Sequence, residues 1–289
     1  MTAVLTNLFD GVAYGMLLFV LACGLAVTLG LMNFVNLAHG SFAMAGGYVC
    51  AVLVNQAGWP FFLGLPLAFV ASALIGALFE RSLYRHLYTR GHLDQVLFSI
   101  GLVFMSVAAV DYVMGSSRVF IRLPAALEGQ FDFFGVGIGR YRLMIIVICG
   151  LLTLGLQLVL ARTRFGSRLR AAVDDPRAAS GLGINVPQVF AVTFAFGCGL
   201  AGLGGALGAE ILGLDPYFPL KFMIYFLIVV TVGGSSSITG PFLAALLLGI
   251  GDVASKYYVP RMGPFAIYTI MIVILLWRPN GLFGRTAPR

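Results

Sequence analysis

Nine stretches of predominantly apolar residues restrict the fold more than any other feature of this chain. They fall at about 11–32, 38–55, 60–79, 93–114, 141–161, 187–209, 220–234, 241–258 and 262–277. A helix needs about 20 apolar residues to cross the hydrocarbon core of a bilayer. Inside hydrocarbon the backbone must satisfy its own hydrogen bonds, and unbroken apolar runs, unlike alternating ones, do so as helices. The composition agrees: 60% of the 289 residues are hydrophobic and 10% are charged, against about 25% charged in a soluble domain. The expected fold is therefore all-α, a polytopic transmembrane helical bundle of eight or nine spans with some helices broken. The count turns on two places. Only residues 33–37 separate the first two runs, and the seventh run is short and stops at Gly233-Gly234-Ser235-Ser236-Ser237. The whole of 1–289 reads as one transmembrane domain, with 162–186 a cytoplasmic segment within it.

The formal charge of +7 is not a nucleic-acid footprint. Arg81, Arg85 and Arg90 lie in one connector, Arg162, Arg164, Arg168, Arg170 and Arg177 in another, and Arg278, Arg285 and Arg289 in the tail. Alternation through nine spans puts all three segments on one side, which the enrichment of basic residues in cytoplasmic loops makes the cytoplasm. The N-terminus is then outside and the C-terminus inside. The opposite side keeps Arg118, Arg122 and Arg140 in a long connector, 115–140, expected to fold over the membrane surface. Cys23, Cys50, Cys149 and Cys198 sit inside apolar runs without metal-ligand spacing and read as small buried hydrophobes, so no metal site is expected. No cleavable signal peptide is expected, since no Lys or Arg precedes the first apolar run.

Three polar segments could carry function. In 33–41, Asn33, Asn36, His39 and Ser41 cluster between two apolar runs, with Phe34, Phe42 and Met44 as an apolar wall. Two readings stand: a short turn at the membrane surface, or a broken helix lining a path, where such groups are costly unless paired or wetted. In 231–241, Gly233 and Gly234 end one helix, Ser235 to Ser237 follow, and Thr239 can cap the next helix ahead of Pro241. This is either a plain connector or a discontinuous helix at a gate, with Gly233, Gly234, Ser236 and Thr239 facing the first segment across the path. In 162–186, a short helix over 165–173 should carry Leu169 and Val173 on one side. Asp175 caps a second short helix with Pro176 in its first position. That helix–corner–helix is either a linker lying along the membrane or a docking knob for a partner. The recurrence of Gly197, Ala201, Gly205 and Ala209, beside Gly204 and Gly208, marks a face for close helix approach, inside the chain or between subunits.

Taken together, the NxxNLAHG segment, the cytoplasmic loop RFGSRLRAAVDDPRAASGLGINV, the GG-SS-xxGP break and the RPNGLFG tail at 278–284 resemble the permease subunits of ABC importers for branched-chain amino acids and related compounds. The resemblance spans nearly the whole chain. It implies that the loop docks on an ATPase, a role falling to Phe165, Gly166, Arg170, Asp174, Asp175, Pro176, Ala178 and Gly183. It also implies a homologous second permease, two cytoplasmic ATPase subunits carrying ATP and Mg, a periplasmic solute-binding protein, and residence in a bacterial inner membrane. No Gly-x-x-x-x-Gly-Lys-Ser/Thr loop occurs in the chain, so this chain is expected to hold no cofactor and to perform no chemistry itself. Many amino-acid and urea members carry Glu where Ser41 stands, a departure that adds organic or aromatic carboxylates and amides to the cargo considered. The alternative is a stand-alone secondary transporter or channel. Its coupling ion would need a buried ionisable group, for which the sequence offers His39 and Asp252, the latter one turn from Lys256. Arg118, Arg122 and Arg140 are expected to receive the binding protein.

Overall fold

The computed structural model describes residues 2–32, 34, 36–88, 90–133, 136–234, 238–261 and 263–283. In chain order the helices are α1 (Thr2–Met32), α2 (His39–Asn55), α3 (Phe61–Ser82), α4 (His92–Met114), α5 (Arg140–Arg162), α6 (Arg164–Asp174), α7 (Pro176–Gly181), α8 (Val186–Leu212), α9 (Phe218–Gly233), α10 (Thr239–Tyr258) and α11 (Gly263–Trp277). One turn of 3-10 helix, Tyr84–His86, joins α3 to α4. Every apolar run is thus helical, and the polar stretch between the fifth and sixth runs forms α6 and α7. Five helices are long and apolar enough to cross a membrane by length and composition: Thr2–Leu29 of α1, then α3, α4, α5 and α8.

Helix α1 begins nine residues ahead of the first apolar run. Asp10 ought to interrupt it, but its carboxylate is paired with the Arg142 guanidinium of α5, which removes the penalty that made the run seem to start later.

Helices α1 and α8 form the centre. α8 packs against α1, α2 and α3, while α1 also packs against α5, α9 and α10. Their contacts run through small residues. A Cβ on Gly46 of α2 would meet the backbone of Gly202, and one on Gly205 would meet the Ala43 carbonyl. The seam is reinforced by the Ser72 hydroxyl of α3, which donates to the Phe42 carbonyl of α2 at 3.1 Å. Gly197, Ala201, Gly205 and Ala209 are all buried, so this stripe serves packing within the chain. The outer helices show the reverse pattern. α4 exposes Leu93, Leu97, Met105 and Tyr112, and α5 exposes Leu151, Leu154 and Leu158.

The connector 115–140 holds a two-stranded antiparallel hairpin, β1 (Gln130–Phe133) with β2 (Val136–Gly139). An all-helical reading misses it because each strand is four residues long and glycines interrupt the second, so no alternation is visible. The connector is anchored by a backbone bridge in which Val119 and Leu214 exchange bonds of 2.7 and 2.8 Å.

Candidate functional site

The described part of the joint between α1 and α2 packs against the connector between α3 and α4. The Asn36 side-chain oxygen accepts from the Ala38 amide at 3.1 Å, the turn that starts α2, and from the Tyr84 hydroxyl at 3.0 Å. Its amide nitrogen is buried without a partner among the described residues. Phe34 packs edge-on against the rings of Tyr84 and Tyr88. Tyr88 donates to Glu80 at 3.3 Å. Burial, and then that carboxylate, raise the Tyr88 hydroxyl well above its ordinary pKa, so it stays a neutral donor. The His39 ring fills the space above Gly24 of α1 beside the Gly197 carbonyl of α8. Neither ring nitrogen finds a partner in hydrogen-bond geometry. Ser41 shares a 2.7 Å bond with Ser106 of α4, and Phe42 packs against Phe79 and Phe194. Gly197 and Ser106 both stand near the middle of their helices, so the start of α2 is level with the middle of α8 and α4. Asn33 lies outside the described residues.

The joint between α9 and α10 is covered by the C-terminal segment. The Leu282 and Phe283 amides donate to the Val232 and Gly233 carbonyls at 2.8 and 3.3 Å, satisfying carbonyls that a helix end leaves orphaned. Gly281 packs against Gly234 and Thr231 at φ 79°, which a side chain would strain. Helix α10 starts at Thr239 with Ile238 in the capping position, so Thr239 is the first helical residue and not the cap, while Pro241 lies in the first turn as expected. The cap moved by one because Ile238 itself adopts helical dihedrals. Ser236 lies outside the described residues. The helices that begin at the two joints have different neighbours: α2 packs against α1, α3, α4, α8 and α9, and α10 against α1, α9 and α11.

The α6–α7 corner is built by its caps. The Thr163 hydroxyl accepts from the Gly166 amide at 3.3 Å, and the Asp175 carboxylate accepts from Arg177 and Ala178 at 2.9 and 3.0 Å. The Asn185 side chain accepts from Gln188 at the start of α8. Gly166 lies so close to the Leu160 carbonyl that a Cβ would strike it, and Arg170 donates to the same carbonyl, closing the end of α5. Leu169, Ala172 and Ala179 form a small core with Val186 and Val189; Val173 is only partly buried, because the corner turns just beyond it. Gly183, at φ 82°, ends α7 in the left-handed region that glycine tolerates. The turn exposes Asp174, Asp175, Pro176, Arg177, Ala178 and Leu182, and α6 beside it exposes Arg164, Arg168 and Arg170.

At the opposite end of the bundle, Arg118, Arg122 and Arg140 are exposed. Arg118 lies 3.7 Å from Asp215, Arg122 is held through its backbone by Asn55, and Arg140 begins α5. Asp10 and Asp215, which the sequence reading does not name, also gather there, paired with Arg142 and Lys221. Their signal was present: isolated charges at the edges of apolar runs seldom persist without partners.

A helix bundle with apolar outer faces and a capped polar corner has the form of a multi-pass membrane protein. The family model described as "Branched-chain amino acid transport system / permease component" matches residues 7–276, and the chain belongs to that family. It is 28% identical to the high-affinity branched-chain amino acid transport system permease protein LivH of Escherichia coli, over 97% of this chain and 96% of that one. It is 29% identical to BraD of Pseudomonas aeruginosa, with the same coverage. It is 27% identical to LivM of Salmonella typhimurium over 95% of this chain and 69% of that one. No solved structure matches the chain.

Proposed function

We propose that this chain is the membrane-spanning permease subunit of an ABC importer in a bacterial inner membrane, forming half of a path for branched-chain amino acids or related small solutes. The carrying observation is the family match along nearly the full chain. The likeness to both LivH and LivM, two permease proteins of branched-chain amino acid systems, supports a homologous permease as the other half. The apolar surfaces of α4 and α5 suit lipid and that partner. In this reading α1–α5 and α8–α11 cross the membrane, with the N-terminus outside and the α6–α7 corner in the cytoplasm.

The corner docks on one of two ATPase subunits, which carry ATP and Mg. Its exposed Asp174, Asp175 and Leu182 make contact, while Gly166, Arg170 and Gly183 hold its shape. A periplasmic binding protein delivers solute to the far end, at Arg118, Arg122 and Arg140. ATP-driven movement of the corner is passed through α5 and α8 to the core, and the joints at Asn36–His39–Ser41–Phe42 and Gly233–Gly234–Thr239 separate to open the path. Their tight closure fits a resting, sealed state. Organic or aromatic carboxylates stay within the cargo considered because Ser41 replaces an acid, and it bonds Ser106 instead.

Exchange of Asp174 and Asp175 for Lys tests the assignment. The variant is expected to insert, fold and bind the sister permease but to lose ATP-driven uptake. Normal uptake by that variant, or no association of the wild type with an ATPase, would overturn the reading in favour of a stand-alone transporter.

A further inference from the structure

The end of the bundle opposite the α6–α7 corner holds a cavity of about 570 Å³, lined by residues from six helices. At its floor is Asp252 of α10, 2% exposed at the side chain and bonded at 2.5 Å to the Lys256 ammonium one turn on. Only one carboxylate oxygen is used. The other, Oδ1, is buried and has no hydrogen-bond partner among the described residues. A buried carboxylate oxygen without a donor is costly, and its charge calls for an N–H or O–H group from a ligand or from water.

Around the mouth stand three cations, each about half exposed at the side chain and each paired with one carboxylate: Lys221 of α9 with Asp215, Lys256 of α10 with Asp252, and Arg142 of α5 with Asp10, which also lines the cavity. The wall between floor and mouth is aromatic, formed by Tyr14, Phe222, Tyr225 and Tyr268. The Lys256 ammonium lies 5.8 Å from the centre of the Tyr14 ring.

We propose that this cavity is a low-affinity reception site for a zwitterionic amino acid with an apolar side chain. Its ammonium donates to the free Asp252 oxygen, its carboxylate meets the cations at the mouth, and its side chain lies on the aromatic wall. The volume falls in the range of small-ligand clefts, and the lining, mostly apolar with a few convergent charges, has their character. A purely structural Asp252–Lys256 pair accounts for one oxygen and leaves the other unexplained. A site for a plain carboxylate has no use for a buried anion at its floor. The inference rests on the proposed importer function only in taking the ligand to be cargo and this end to face outward.

The test uses the full chain with its partner subunits in lipid nanodiscs, without binding protein. Saturation-transfer NMR titrations compare L-leucine with 4-methylpentanoate, which lacks the ammonium, and 3-methylbutylamine, which lacks the carboxylate. Leucine is expected to bind at least about tenfold more tightly than either, since each lost group removes a charge-assisted hydrogen bond. Asp252→Asn should reduce leucine to the level of 4-methylpentanoate and leave 4-methylpentanoate unweakened. If Asp252→Asn does not fold, Asp252→Asn with Lys256→Gln removes both charges, leaves no buried ion unpaired, and carries the same expectation. Equal binding of the three probes, or leucine binding indifferent to Asp252, overturns the site. ATPase association and ATP-driven uptake, measured on the same preparation, report on the importer assignment separately. Uptake without leucine preference sinks the site alone. Loss of ATPase association sinks the assignment, and the titration still decides the site.

Discussion

Single residues act here mostly by being small or by being held. Gly205 is the clearest case. Added there, a methyl group would enter the space of the Ala43 carbonyl, a backbone atom in the second turn of α2 that has no room to yield. Gly205→Ala is therefore expected to part α2 from α8 and lower stability by about 1–3 kcal/mol, the usual cost of overpacking a tight core. Thermal unfolding in detergent would show it as a lower transition. Gly101→Ala on α4, where a Cβ meets nothing within 4 Å, is the control and should be neutral. A comparable drop in both variants would mean that the close approach of α2 and α8 is not what limits stability. Arg170 belongs to the same scale. The sequence reading makes it a docking residue; its guanidinium also reaches the Leu160 carbonyl and ties α6 to the end of α5.

At the scale of elements, the two helix joints behave differently. The joint into α2 is shut by side chains from α3, α4 and α8, whereas the joint between α9 and α10 is shut by the chain's own end. Cysteines in a background without Cys23, Cys50, Cys149 and Cys198 separate the two. At Asn36 and Ser41, both buried, a cysteine should resist small water-soluble thiol reagents at rest and react when ATP hydrolysis is trapped. At Val232, fully buried with its carbonyl bonded by Leu282, a cysteine should become reactive at rest once residues 280–289 are removed. Silence at all three positions in every state would take the path away from these joints and make the tail a passive terminus. The corner helices, by contrast, were legible in sequence. Asp175 followed by Pro176 is a local capping pattern, settled by side chain to backbone bonds two and three residues away. The β1–β2 hairpin carried no such pattern.

For the whole molecule, charge is sorted to the two ends of an apolar body. If the end bearing Arg118, Arg122 and Arg140 receives the binding protein, docking should weaken as salt rises, because exposed ion pairs are individually weak and screened. Replacing all three with Ala should lower the affinity at low ionic strength and flatten its salt dependence. An unchanged affinity and slope would assign docking to another surface. Arg118 already lies near Asp215, so its share of the effect should be smaller than that of Arg122 or Arg140.

Taken alone, the sequence determined whatever depends on transfer from water or on neighbours within a few residues. The apolar runs required a membrane bundle, and Asp175 with Pro176 set the start of a short helix. The tertiary structure decided what depends on contacts between distant segments. It paired Asp10 with Arg142, so that α1 runs through a charge. It laid 281–283 over the end of α9, and it gathered Tyr14, Arg142, Lys221 and Asp252 around one cavity. Hydropathy measures how strongly a segment leaves water and is blind to direction around the helix axis. Which faces meet is set by the close fit of Gly46, Gly202 and Gly205, and that fit exists only once the helices are assembled.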